Sequence, residues 1–232
     1  MPEVMITGPE GRIEAKYQHV RTGAPIAVVM HPHPEHGGTM NNKVTYAIYR
    51  TFINSGFNTI RFNYRGVGKS EGKFSQGEGE LSDAASVLDW LQTYNPSAPA
   101  CWVAGFSFGA LIAMQLLMRR PEMDGFIAVS PPANLFDFTF LAPCPVSGLF
   151  IQGDQDTIVT TASVHQLAKT LTNQRHITIE EKIISGADHF FGKHIEPVMQ
   201  ATQGYLRANC KHALQGTLIA PSAQDGGKAS AA

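Results

Sequence analysis

The 232-residue chain has little that would tie it to nucleic acid, to lipid or to an oxidising compartment. Eighteen Lys and Arg face nineteen Asp and Glu, for a formal net charge of −1, and there is no basic run. Such a balance attracts neither a polyanion nor an anionic surface, so neither nucleic acid nor membrane is expected as a partner. No apolar run approaches the ~18 residues of a membrane-spanning helix. The opening MPEVMITGPEGR lacks the apolar core of a secretory signal, and none is expected. Cysteine is scarce, and Cys101, Cys144 and Cys210 show no CxxC spacing. Scattered thiols in odd number read as free cysteines in a reducing compartment, which predicts a cytoplasmic protein. There is no HExxH or similar helical pair to hold a metal, and neither a metal nor a cofactor is expected.

What is present suits a globular protein. Hydrophobic residues make up 43% and charged residues 16%, enough apolar material for one large core. Val4 to Thr7 and Ile13 to Val20 read as a hairpin around the turn residues GPEG. From there strands and helices alternate. Apolar runs such as IAVVM (26–30), NTIRFN (58–63), CWVAG (101–105), GFIAVS (125–130), PVSGLFIQ (145–152) and ITIEEKII (177–184) read as strands. Segments 41–55, 79–94, 108–120, 162–171 and 195–208 carry helical spacing. This order predicts an α/β fold with a mostly parallel central sheet and helices on both faces, and with no large lid domain. Residues 1–213 read as one domain. Residues 214–232, rich in Gly, Ala and Ser, read as a disordered tail.

The first chemical signal is GFSFG, residues 105–109, which matches G-x-S-x-G between a strand and a helix. A serine on so tight a turn is forced out above the carboxyl edge of the sheet. Ser107 is therefore the candidate nucleophile. A hydroxyl is weak at neutral pH and needs a base, which needs an orienting group. Two later loops supply candidates. GDQDTIV places Asp154 and Asp156 beyond one strand end, and GADHFF places His189 beyond the last strand. Asp156, further into its loop, is preferred as the acid, with Asp154 bracing that loop. His189 is preferred over His194, which falls at the start of the last helix.

These motifs, together with HPHPEHGGTMNNK and NYRGVGKSEG, resemble those of the α/β-hydrolases. The similarity is greatest to the small, lidless bacterial branch related to dienelactone-hydrolase-like and X-Pro-peptidase-like proteins. It spans Ile26 to about Ala208. The resemblance implies Ser107 as nucleophile, Asp156 as acid and His189 as base. Dienelactone members use cysteine at the nucleophile, where this chain has serine, and that activity is not implied.

Acyl transfer through Ser107 needs two N–H donors for the oxyanion. One is expected from Phe108, the residue after the serine, and one from the loop after IAVVM. In that loop Pro32 and Pro34 have no N–H, which leaves the backbone N–H of His33. The His31 and His36 rings are expected to stiffen the loop by hydrogen bonds rather than to bind metal, and the role of the His33 ring stays open. RGVGKS (65–70) imitates a phosphate loop, but its glycines are too close together, and it reads as structural. Leu135, Phe136 and Phe190 are candidate pocket walls. The expected activity is hydrolysis of small carboxylic esters, on a small-molecule substrate. The same residues also fit peptide, amide or thioester cleavage, and a non-catalytic binding module is the remaining alternative. Oligomeric state, a homodimer included, is left open.

Overall fold

The computed structural model describes residues 3–174 and 176–212. The tail expected over 214–232 lies outside the described residues. The hairpin forms first, as β1 (Glu3–Gly8) and β2 (Gly11–Gln18). β3 (Ile26–Met30), α1 (Lys43–Asn54), β4 (Asn58–Phe62), α2 (Glu78–Tyr94), β5 (Cys101–Phe106) and α3 (Phe108–Arg119) follow. The remainder is β6 (Gly125–Val129), β7 (Gly148–Gly153), α4 (Thr161–Thr172), β8 (Ile179–Ile184) and α5 (Ile195–Asn209).

All eight strands join one sheet in the order β1-β2-β4-β3-β5-β6-β7-β8. β1, β2 and β4 pair antiparallel, and every pairing from β4 to β8 is parallel. The apolar runs are continuous because each central strand is covered on both faces. In β3, Ile26, Val28 and Met30 pack on the side of α2, α3 and α4, while Ala27 and Val29 pack on the side of α1 and α5. β6 divides likewise, Phe126 and Ala128 against Ile127 and Val129. This is period-two alternation with both faces dry.

β3 has β4 on one side and β5 on the other. The chain leaves β3 towards α1 on one face and β5 towards α3 on the opposite face. Between two such divergent loops a crevice opens at the carboxyl edge. That is where HPHPEHGG and GFSFG end up.

Two of the boundaries that differ from the sequence reading have identifiable reasons. β2 stops at Gln18 because Asn58 Oδ1 takes the N–H groups of Val20 (2.6 Å) and Arg21 (3.2 Å). β7 starts at Gly148 rather than at Pro145, which has no N–H to give to a ladder. The sheet ends in β1 and β8, and the middle of β8 exposes Glu180 and Lys182. Among the described residues no helix is long and apolar enough to cross a membrane. The three cysteines are buried, and among the described residues they form no disulfide.

Two glycines show opposite demands. A Cβ on Gly109 would lie 2.5 Å from Met30 O and 2.6 Å from His31 O, against rigid backbone. A Cβ on Gly204, in α5, would meet nothing within 4 Å. Gly109→Ala is expected to lower stability by about 2 kcal/mol or more. Gly204→Ala is expected to raise it by up to about 1 kcal/mol. Urea denaturation of both variants checks the pair, and an unaffected Gly109→Ala would contradict the close approach of α3 to β3.

Candidate active site

β5 ends at Phe106 and α3 begins at Phe108, so the whole reversal rests on Ser107. Its backbone has φ 55 and ψ −120, a conformation that L side chains avoid. Its N–H donates to Val129 O at 2.8 Å, and its carbonyl accepts from Ala110 N at 2.8 Å. The side chain consequently stands off the end of the sheet.

Asp156 lies in the loop between β7 and α4, and its two oxygens have separate tasks. Oδ1 accepts the N–H groups of Ile158 (2.9 Å) and Val159 (2.8 Å). Oδ2 accepts from His189 Nδ1 (2.7 Å) and from Gln152 Nε2 (3.2 Å). Burial works against ionisation here. The hydrogen bonds from His189 and from the Val159 and Ile158 N–H groups outweigh it and hold the carboxyl below its usual range. A carboxylate only accepts, so the His189 proton sits on Nδ1. The bare Nε2 then faces Ser107 Oγ at 3.1 Å. The His189 ring rests against Phe106, with centroids 5.1 Å apart. This arrangement can move a proton from the serine hydroxyl to the imidazole.

The His-Pro loop supplies the facing wall. His31 is fully buried; its Nδ1 donates to Pro32 O (2.7 Å) and its Nε2 accepts the N–H of Tyr64 (3.1 Å). It thereby ties the loop after β3 to the loop after β4. The residues Pro34–His36 form one 3-10 turn, with the His33 ring capping it by accepting Glu35 N–H at 3.2 Å. The His36 ring makes no hydrogen bond among the described residues; it is held in the loop by stacking on His33 at 4.6 Å and 25°. Among the described residues no acceptor takes the N–H of His33 or of Phe108.

One cavity of about 450 Å³ collects most of the candidates: Ser107, Phe108, His33, Leu135, Phe136, His189 and Phe190 all line it. Asp156 stands behind His189, out of the cavity. The segment from Pro131 to Leu141 is divided: Leu135 and Phe136 are exposed at the cavity, whereas Phe138 and Leu141 enter the core. Sequence reasoning missed Ile158, His36 and Asn42 as lining residues. Nothing in the sequence marks Ile158, because its exposure at the cavity follows from the direction of its loop.

The remaining candidates have structural work. Asp154 accepts from Gly186 N (2.7 Å) and Ser185 Oγ (3.1 Å), tying its own loop to the loop after β8. His194 is the residue before α5. Most N–H groups of the RGVGKS loop are already taken: Lys69 N donates to Glu14 Oε2 at 2.8 Å, Arg65 N donates to Asp83 Oδ2 at 3.0 Å, and those of Gly66, Val67 and Ser70 donate to backbone carbonyls. An anion cradle would leave those groups free. Among the described residues no three His, Cys, Asp or Glu side chains converge as metal ligands.

Known proteins resemble this chain over most of its length. The profile of the X-Pro dipeptidyl-peptidase (S15) family matches residues 16–186. A protein of unknown function from Agrobacterium tumefaciens, ATU1826, described as a candidate alpha/beta hydrolase, is 48% identical with a TM-score of 0.87, over 93% of this chain and 100% of that one. XC6422 from Xanthomonas campestris, a serine hydrolase of the same fold without a lid, is 31% identical with a TM-score of 0.80, over 89% and 94% of the two chains. The lysophosphatidylserine lipase ABHD12 of Xenopus tropicalis is 27% identical over 67% of this chain, which spans 45% of that protein's length.

His31 generates a pH prediction. Burial pushes its imidazole down from 6.5 to about 3, against the opposing pull of the Pro32 carbonyl. The unfolded chain takes up this proton near 6.5, and the folded chain only near 3. Stability from this group is therefore complete above about 6.5 and is lost as pH falls from there towards about 3. His31→Asn is expected to cost about 1–3 kcal/mol at neutral pH. It should also shrink the stability loss between neutral and mildly acidic pH. Urea unfolding at the two pH values reads both effects; an unchanged pH dependence would mean that the ring is solvated.

Proposed function

This chain belongs to the X-Pro dipeptidyl-peptidase (S15) family of α/β serine hydrolases, and from that premise we propose that it cleaves small carboxylic esters through an acyl-enzyme on Ser107. The observation that carries the proposal is the position of His189, 3.1 Å from Ser107 Oγ by one nitrogen and 2.7 Å from Asp156 Oδ2 by the other.

The reaction has two steps. His189 Nε2 takes the hydroxyl proton as Ser107 Oγ bonds to the ester carbonyl carbon. The carbonyl oxygen becomes an oxyanion, held by the N–H groups of Phe108 and His33. Asp156, kept ionised, stabilises the imidazolium and holds its tautomer. The C–O bond to the leaving alcohol breaks as His189 returns the proton to it. A water, deprotonated by His189, then attacks the acyl-enzyme and releases the acid and the serine. No metal or cofactor has a step in this sequence.

Ester cleavage is supported by the lipase among the relatives. Amide cleavage is the second reading, favoured by the peptidase family whose profile the chain matches. The triad is indifferent to whether the leaving atom is oxygen, nitrogen or sulfur, so parallel assays on esters, aminoacyl amides and acyl-CoA separate these cases.

Ser107→Ala is expected to lower kcat on p-nitrophenyl esters by on the order of 10⁴-fold and to abolish labelling by a fluorophosphonate. Asp156→Asn is expected to lower kcat by about 10³- to 10⁴-fold, because the amide no longer enforces the tautomer. Steady-state kinetics on the two variants is the measurement. Wild-type rates in Ser107→Ala would refute the assignment.

A further inference from the structure

Large apolar side chains are seldom left in water without a use when they cluster. Among the described residues eight are exposed: Met5, Val20, Tyr94, Leu135, Phe136, Ile158, Ile183 and Phe190. Four of the eight, Leu135, Phe136, Ile158 and Phe190, line the Ser107 cavity. The others lie elsewhere, on β1, after β2, at the end of α2 and on β8.

The clustering follows from the chain itself. Each of the three reactive side chains brings an apolar neighbour to the cavity wall: Phe108 after Ser107, Ile158 two residues after Asp156, and Phe190 after His189. Two of them are tied directly to the reactive groups. The Ile158 N–H is bound to Asp156 Oδ1 at 2.9 Å, and the Phe190 ring meets the His189 ring edge-on at 5.5 Å. The rim is thus built together with the reactive residues.

The polar side of the wall is equally informative. Among the described residues, no Asp, Glu, Lys or Arg lines the cavity. The polar side chains there are the His33, His36 and His189 rings, the Asn42 amide and the Ser107 hydroxyl. A free α-ammonium entering such a cup would lose its water and find no carboxylate. An alkyl chain would gain from every methylene that it buries.

We infer that the cavity selects an uncharged, apolar acyl chain and rejects the free amino terminus that release of a dipeptide requires, with Ile158 and Phe190 as specificity-determining walls. This rests on the acyl-enzyme reading for Ser107. It separates the chain from the reaction in its family's name, and within the small carboxylic esters proposed above it narrows the substrate class to neutral ones whose acyl chain reaches the rim.

The test compares p-nitrophenyl acetate with p-nitrophenyl octanoate, and Ala-Pro-p-nitroanilide with its N-acetyl form. The proteins are wild type, Ile158→Ser, Phe190→Ser and the double variant. Fluorophosphonate labelling of Ser107 reports an intact site in each, and substitutions at exposed positions leave the core in place. In wild type, kcat/KM for octanoate is expected to exceed that for acetate by at least tenfold. That ratio should fall about tenfold in the double variant, and the free-amine anilide should be inert. A ratio unchanged in a double variant that still labels overturns the inference, as does turnover of the free-amine anilide at or above the rate of its acetylated form. Wild-type protein that labels but shows no chain-length preference sinks the selectivity alone. Wild-type protein that neither labels nor cleaves any ester sinks the acyl-enzyme reading, and this inference with it.

Discussion

The backbone of Ser107, at φ 55, occupies a region where a side chain other than glycine costs roughly 1–3 kcal/mol. It stays there because its surroundings leave no alternative. The N–H is held by Val129 of the neighbouring strand. Gly105 and Gly109 let the backbone of β5 and α3 meet where any Cβ would collide. The sheet below is buried on both faces, so relaxation of the turn would disturb both core layers at once. One strained residue thereby sets three things together: the position of the hydroxyl, the direction of the Phe108 N–H, and the start of α3 beside β3.

The rest of the site is organised so that no ionisable group needs to be charged without a partner. Asp156 is buried, yet four hydrogen bonds keep it ionised. His31 takes the opposite course: it has no carboxylate partner, and burial keeps it neutral. In that state it serves as donor and acceptor at once, joining Pro32 to Tyr64. Loops after five different strands, β3, β5, β6, β7 and β8, therefore arrive at one cavity in fixed relation. Asp154 adds a brace from the loop after β7 to the loop after β8.

Much of this was legible before any coordinates. The continuous apolar runs disclosed strands buried twice over, and GFSFG, GDQDTIV and GADHFF carried their side chains to one edge because parallel strands end there together. The choice of Asp156 over Asp154 could be read from position within the loop. Two kinds of information were out of reach. The strand end at Gln18 depends on the distant Asn58 side chain, which claims the N–H groups of Val20 and Arg21. The fate of apolar residues in loops depends on tertiary direction, which is why Phe136 at the cavity and Phe138 in the core look alike in sequence. Ile158 escaped notice for the same reason, and the stacking of His36 on His33 needed the turn geometry first.

The outer strand β8 deserves a last consequence. Its backbone has a paired side, towards β7, and an open side. An open strand of unbroken isoleucine would invite another chain to add itself, and from there to stack into fibres. Glu180 and Lys182 stand exposed in its middle, between the buried Ile179 and Ile184. An incoming strand would have to strip water from both charges, so the same sheet that is adhesive enough to hold a strained turn is kept from polymerising at its margin.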